Sequence, residues 1–184
     1  MKVQRNEVLP YNEYEKIRND FRNKILAIKE PRRIHCGEFF TFLFENHDTV
    51  LYQIQEMIRT EKISHEKDIQ FEVDTYNELL GDKGELGCTL LIEIPDKEQR
   101  DLLLSEWKDL PQYIFLQTED GTTIPAQFDK RQIGKDRLSS VQYLKFPLGD
   151  KVPSKVVIKH PKVEASASLS KAQQAALLKD LCES

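Results

Sequence analysis

The chain has 184 residues and a net charge of −4, which arises from 31 acidic and 27 basic side chains. This length fits one compact domain, and the interspersed charges argue against a nucleic-acid partner. No apolar run approaches the ~20 residues that span a bilayer, so no membrane partner is expected. The three cysteines are far apart in the sequence, which predicts reduced thiols in a cytoplasmic protein.

The first predicted helix runs from about residue 10 to residue 29. Apolar residues recur in it at spacings of three and four, and Pro31 follows its end. We expect this stripe to pack on the protein's own sheet, and the alternative is a homodimer seam. The stripe consists of Tyr14, Ile17, Phe21, Ile25 and Ile28.

Two short strands and a second helix are predicted next. The strands flank Gly37, and Phe40, Phe42 and Phe44 face one way in the second strand. Asn46 is a good N-cap for the helix. The buried face of this helix is predicted to hold Val50, Leu51, Ile54, Met57 and Ile58. Its polar face is predicted to be either solvated or a docking surface, and it holds Asp48, Tyr52, Gln55, Glu56 and Arg59.

A third helix, a strand and a fourth helix follow. Ser64 is expected to cap the third helix, whose inner face includes Ile69 and Val73 and which Gly81 stops. Alternating apolar residues predict a strand over residues 86–94. Asp96 is the expected N-cap of the fourth helix.

A hairpin and one more strand complete the predicted core. The Asp120-Gly121 pair predicts a type I′ turn, and Pro125 places the second strand of the hairpin at an edge or a bulge. A last main strand is predicted over residues 139–148.

The chain changes character after Gly149. We therefore predict a core domain over residues 1–149 and a C-terminal extension over residues 150–184. The extension is expected to hold one extended segment, a linker at 164–168 and a helix. Ser170 and Gln173 are placed as a capping box for that helix.

Together these elements predict an α+β fold. Helices and strands are mixed without a strict βαβ rhythm, and a short hairpin is present. The expected architecture is a single domain with a mostly antiparallel sheet of five to six strands, packed with amphipathic helices and followed by a C-terminal linker and helix.

Polar side chains on the second and third helices are the candidate binding residues. The guanidinium fork of Arg59 suits a carboxylate or a phosphate. Asn77 is an unfavourable choice inside a helix, so its side chain should either tie the helix end to a loop or reach a ligand. No catalytic motif occurs, so no catalytic residue is assigned. The ligand- or partner-binding candidates are Glu56, Arg59, Glu61, Tyr76, Asn77, Glu78 and Arg137.

The seam, residues 45–48, joins the second strand to the second helix. In an extended strand Glu45 and His47 project on one side, and this pair can share iron or another divalent metal. A further ligand has to come through the fold. The alternative is a plain strand-to-helix junction with polar capping residues, and no cofactor is predicted from the seam alone. The further candidate ligands are His35, Cys36 and Glu56.

Four stretches of the chain resemble a bacterial family of unknown function, DUF3501. The stretches are LFENHDTVLYQIQEMIRTEKI, TYNELL, GELGCTLLIEIPD and DRLSSVQYLKFPL. The resemblance implies no known activity, cofactor or binding residue. It implies a genetic setting beside rubrerythrin-like diiron proteins and iron–sulfur oxidoreductases of the heterodisulfide-reductase type. The family usually has arginine where this chain has His47, which argues against a metal site there.

Two functions follow as hypotheses. The first is a non-catalytic accessory or docking partner of a rubrerythrin-like or iron–sulfur redox protein. The second is a small-molecule-binding domain or enzyme with one polar pocket. That pocket would be lined by Glu56, Arg59, Tyr76, Asn77, Glu78 and Arg137.

Overall fold

The computed structural model describes residues 1–183. In that range no helix has both the length and the apolar character to cross a membrane. The helices are α1 (Tyr11–Lys29), α2 (His47–Glu61), α3 (Glu66–Asn77), α4 (Lys97–Glu106) and α5 (Lys171–Glu183). The strands are β1 (Arg33–Cys36), β2 (Phe40–Phe44), β3 (Glu85–Ile92), β4 (Ile114–Thr118), β5 (Thr123–Pro125), β6 (Val141–Pro147), β7 (Pro153–His160) and β8 (Val163–Ser168).

The strands form two antiparallel sheets of four strands each. Their orders are β1-β2-β3-β6 and β5-β4-β7-β8. The predicted α+β class is confirmed. Instead of the one sheet of five to six strands that was expected, residues 1–183 form eight strands in two sheets.

The two sheets adjoin at both margins. At one margin the backbones of Gln127 and Lys145 exchange two hydrogen bonds of 2.8 and 2.9 Å. At the other margin a Cβ atom on Gly37 would lie 2.9 Å from the Cβ of Ala165, so this close approach requires glycine. The positive φ angle at this position, +66°, also favours glycine.

The main core lies between the two sheets. Phe42, Phe44 and Leu90 of the first sheet are fully buried together with Leu116 and Val156 of the second. Residues from α4 and α5 complete this cluster at its ends, which fixes both helices against the sheets. Those residues include Leu104, Leu177 and Leu181.

A second, smaller core joins α2, α3 and the N-terminal segment. Val50, Ile54 and Ile58 of α2 are fully buried in it, which confirms most of the predicted inner face of this helix. Leu51 and Met57 are only partly buried. Because Val3 and Val8 belong to the same cluster, the first residues of the chain are part of the packed structure.

The prediction that α1 packs on the sheet is wrong, because α1 packs along α2. Tyr14 is fully buried, whereas Ile17 is 43% exposed. The polar side of α2 is partly covered by other residues of the chain rather than fully solvated. Gln55 is buried there, and its side-chain amide bonds both the N–H (2.7 Å) and the C=O (3.1 Å) of Leu9.

The predicted linker at 164–168 is also wrong, because these residues belong to strand β8. Ala165 and Ala167 face the main core, whereas Glu164, Ser166 and Ser168, which alternate with them, are exposed. Strand β8 pairs with β7, and β7 pairs with β4 of the hairpin, so residues on both sides of 149 build the second sheet. The capping box before α5 is confirmed, since the backbone N–H of Ser170 donates to Gln173 Oε1 at 2.8 Å and the Gln173 N–H donates to Ser170 Oγ at 3.2 Å.

Two local predictions differ from the structure. The β4–β5 connection is not a type I′ turn, because Gly121 has a positive φ angle but Asp120 does not. Asp120 instead accepts the N–H of Thr122 at 2.9 Å, which shapes a longer loop. His65, not Ser64, is the N-cap of α3. The edge position of Pro125 is confirmed, since β5 is outermost in its sheet.

Candidate functional site

The end of α3 is tied to the N-terminal segment by Asn77. Its Oδ1 accepts the N–H of Val3 and its Nδ2 donates to the C=O of Val3, both at 2.9 Å. Of the two roles predicted for Asn77, the structure therefore shows the tie to a neighbouring segment. The neighbouring residues Tyr76 and Glu78 line a cleft beside this tie.

The α3–β6 cleft has a volume of about 840 Å³. It lies between α3, the outer face of β6 and the loop that follows β5. Tyr76, Asn77 and Glu78 line it, as do Met57 of α2 and Lys2 of the N-terminal segment. The remaining lining includes Phe71, Glu72, Thr75, Asp82, Phe128, Asp129, Tyr143 and Lys145.

Two aromatic side chains in this cleft are unusually exposed. Phe71 is 66% exposed and Tyr143 is 47% exposed. Tyr76 of α3 is more buried than either of these rings. Burial raises the pKa of the Tyr76 hydroxyl, and the neighbouring Glu72 carboxylate and Tyr143 add to the increase. The cleft thus combines apolar ring surface with negative charge.

Glu56 does not reach this cleft, because it is engaged by α1. Its carboxylate accepts the Tyr14 hydroxyl at 2.7 Å and both the Nε and Nη2 of Arg18 at 2.8 Å. The hydrogen-bonded Arg18 guanidinium holds the pKa of Glu56 below its usual value. Burial, reinforced by the Glu56 carboxylate, raises the pKa of Tyr14.

Three further candidates lie away from the cleft. Arg59 forms an ion pair with Glu15 of α1, and Arg137 forms one with Asp101 of α4. Glu61 is exposed at the end of α2. The six residues expected to line one pocket therefore divide into three groups, and only Tyr76, Asn77 and Glu78 line the α3–β6 cleft. Their role in binding stays a prediction.

The seam is a strand-to-helix junction with a buried carboxylate. The Asn46 Oδ1 accepts the Thr49 N–H at 3.0 Å, which confirms Asn46 as the N-cap of α2. Glu45 is only 3% exposed. Its Oε2 accepts the Thr49 hydroxyl at 2.5 Å and the Gln53 amide at 3.0 Å, and its Oε1 accepts the Thr89 hydroxyl at 2.7 Å.

These three donors to Glu45 are all neutral. Lys29 is a basic side chain near this carboxylate. Burial lowers the pKa of the Lys29 ammonium group, and the Glu45 carboxylate acts in the opposite direction. The Lys29 ammonium lies 5.0 Å from the centre of the Tyr52 ring rather than in an ion pair with Glu45. The carboxylate is therefore held by hydroxyl and amide groups.

A second cavity, the seam cavity, lies beside the seam and has a volume of about 580 Å³. One wall is a buried, two-pronged ion pair in which Arg32 Nε and Nη2 each lie 2.7 Å from a carboxylate oxygen of Asp180. Glu45 and His47 also line this cavity. The imidazole of His47 lies between two carboxylates, with Nε2 2.9 Å from Glu7 Oε1 and Nδ1 3.3 Å from Asp48 Oδ1.

The candidate metal ligands do not converge. Within residues 1–183 no group of three histidine, cysteine or acidic side chains has the arrangement that holds a metal ion. His35 contacts the Thr41 hydroxyl at 2.9 Å on the outer side of β1. Cys36 faces the main core, where burial raises the pKa of its thiol to about 11.

The sequence interpretation missed Phe71 and Tyr143. A signal for Phe71 was present, because it is out of phase with the buried stripe of Ile69 and Val73 on α3. In β6, Tyr143 alternates with the buried Leu144 and Gln142 and so had to face outward. An aromatic residue at an outward position is the pattern that both share.

Comparisons with known proteins support a family assignment. The structure is similar to a crystal structure of a protein of unknown function from Burkholderia pseudomallei, with 29% sequence identity and a TM-score of 0.90. The similarity covers 98% of this chain and 100% of the other. No protein with a curated description matches the chain. A family model described as a protein of unknown function, DUF3501, matches residues 2–181, and the chain therefore belongs to the DUF3501 family.

Proposed function

We propose that the protein is a cytoplasmic accessory protein that docks, through the α3–β6 cleft, onto a rubrerythrin-like diiron protein or an iron–sulfur oxidoreductase. The class of partner comes from the genetic setting that the family resemblance implies. The observation that carries the docking role is the exposure of Phe71 (66%) and Tyr143 (47%) at one cleft. Exposed aromatic residues grouped at one site are characteristic of protein contact surfaces.

The energetics of Phe71 are consistent with a docking role. Complete burial of a phenylalanine side chain contributes about 1.5–3 kcal/mol, so covering its exposed two-thirds contributes about 1–2 kcal/mol. The fold gains little from this ring as it stands. A partner that covers Phe71 and Tyr143 therefore gains apolar burial that folding has left unused.

Affinity purification under anaerobic conditions tests the proposal. The protein, tagged at its C-terminus, is expressed in its own host as wild type and as the Phe71→Asp and Leu102→Asp variants. Leu102 is the matched control, since it is 61% exposed on α4 and does not line the cleft. We expect wild type and Leu102→Asp to recover the redox protein, and Phe71→Asp to recover at least about tenfold less.

Two results contradict the proposal. One is recovery of neither class of redox protein by the wild type. The other is equal recovery by all three proteins, which would show that the cleft is not part of the contact surface. Because Phe71 is mainly in solvent, the Phe71→Asp variant should fold with a melting temperature close to that of the wild type, and circular dichroism checks this.

A second candidate function is small-molecule binding in the seam cavity. Its volume lies in the range of ligand pockets, and among residues 1–183 the buried Glu45 carboxylate that lines it is hydrogen-bonded by neutral donors only. Mass spectrometry of the molecules released when the native protein is denatured tests this function. A single compound at near-stoichiometric amount, reduced in Glu45→Gln, is the expected result, and protein that releases no compound contradicts it.

A further inference from the structure

We infer that the occupant of the α3–β6 cleft is an extended segment of the partner protein that carries arginine or lysine beside an apolar side chain. This inference rests on the proposed docking function and specifies the chemistry of the docked segment. It is drawn from the charges, the rings and the length of the cleft.

The charges of the cleft are unbalanced toward negative. Four carboxylates line it, against the ammonium groups of Lys2 and Lys145. The ammonium group of Lys145 lies 3.6 Å from a further carboxylate, that of Glu85, so its positive charge is already partly neutralised. The four carboxylates belong to Glu72, Glu78, Asp82 and Asp129.

Three of the four carboxylates remain without an ion pair. Asp129 forms an ion pair with Arg131. The Arg131 guanidinium also interacts electrostatically with Glu78, although the two form no hydrogen bond. Glu72, Glu78 and Asp82 form no ion pair within the described part of the chain. Acids that form no ion pair around a cleft favour a cationic occupant and disfavour an anionic one.

The rings of the cleft suit the same occupant. Phe71, Tyr76, Phe128 and Tyr143 line the cleft, and among residues 1–183 no two of these four rings are in contact with each other. A cationic side chain is attracted to the face of an aromatic ring. Arginine fits best, since its planar guanidinium stacks on a ring while its fork binds a carboxylate such as Glu72.

The length of the cleft favours a peptide segment over a free amine. Phe71, Thr75 and Glu78 follow one side of α3 and its C-cap at spacings of four and three. A rise of about 1.5 Å per residue separates Phe71 from Glu78 by roughly 10 Å. An extended chain advances about 3.3 Å per residue, so roughly three residues of a segment lie along this side. A volume of about 840 Å³ is far more than one amino group needs.

Charge reversal tests the chemistry of the occupant. The redox protein recovered by the wild type is purified, and its binding is measured with the Glu72→Lys/Glu78→Lys variant. The Glu98→Lys/Glu164→Lys variant is the control, because it changes net charge equally at exposed acids that do not line the cleft. We expect Glu72→Lys/Glu78→Lys to lose at least about tenfold in affinity for the partner, and the control variant to lose less than about twofold.

Overlapping peptides of the recovered partner locate the segment. Wild-type protein is expected to bind peptides in which arginine or lysine adjoins an apolar residue, and Glu72→Lys/Glu78→Lys to lose them. Binding only to acidic or uncharged peptides overturns the inference. Displacement of the partner by argininamide as effectively as by the bound peptide also overturns it, because the occupant would then be a free amine.

The two proposals fail in different ways. If Phe71→Asp abolishes binding while Glu72→Lys/Glu78→Lys binds within about twofold of wild type, docking stands and the basic segment is refuted. If wild type recovers no redox protein, the docking function fails, and this inference fails with it.

Discussion

The buried ion pair between Arg32 and Asp180 fixes α5 to the core, and its removal should destabilise the fold strongly. Both side chains are almost fully buried, and Arg32 also donates through Nη1 to the C=O of Ile28 at 2.7 Å. In Asp180→Asn the guanidinium stays buried without its carboxylate. Breaking a buried pair in this way costs about 3–5 kcal/mol. For a domain of this size the cost corresponds to a decrease of about 6–20 °C in the melting temperature.

Guanidinium chloride unfolding, followed by circular dichroism, measures this effect. With a slope of about 4 kcal/mol per molar, the midpoint should fall by about 1 M. The matched control is Glu183→Gln, which removes an exposed ion pair with Lys179 in the same helix and should cost less than about 1 kcal/mol. If the free energy of unfolding of Asp180→Asn lies within about 1 kcal/mol of the Glu183→Gln value, the buried pair contributes no more to stability than an exposed one, contrary to this prediction.

Three further predictions concern stability and thiol chemistry. Ile54→Ala should lower the free energy of unfolding by about 2–5 kcal/mol because Ile54 is fully buried, whereas Leu102→Ala should change it by less than about 0.5 kcal/mol; urea unfolding distinguishes them. The pKa of Glu56 is lower in the folded protein than its ordinary 4.5, so its contribution to stability is present above that value and lost as the pH falls through the folded pKa. The melting temperature of wild type should therefore fall more steeply than that of Glu56→Gln between about pH 6 and pH 3, and equal slopes would contradict this. A thiol reagent should modify Cys182 rapidly in native protein and Cys36 and Cys88 only in denaturant, because burial raises the pKa of both buried thiols; rapid modification of all three would contradict this.

Local sequence signals predicted most of the individual elements. The caps Asn46 and Asp96 were identified from residue type and position, because a side chain that bonds its own helix terminus needs no information from distant residues. The alternation of Phe40, Phe42 and Phe44 likewise predicted a strand with one face in the core. Both signals arise within a short segment of the chain, so they can be read directly from the sequence.

Pairings between elements were harder to predict. An apolar stripe on α1 indicates that one side is covered, but not whether the cover is a sheet or α2. The polar side of α2 suggested a solvated or binding surface. That signal was misleading, because Gln55, Glu56 and Arg59 bond other residues of the chain. Strand β8 was missed because alanine and serine alternate with too little difference in hydropathy to show a buried side.

The candidate site depends on such pairings, since the α3–β6 cleft takes residues from segments more than sixty positions apart. The buried Leu80 lines both this cleft and the seam cavity, and Asn77, which also lines the cleft, bonds the backbone of Val3. Lys2 faces the cleft, while Met1 lines the seam cavity and donates its terminal ammonium to the C=O of Glu183 at 2.8 Å. Adjacent residues of the N-terminal segment therefore contribute to different cavities, an arrangement that no local sequence pattern predicts.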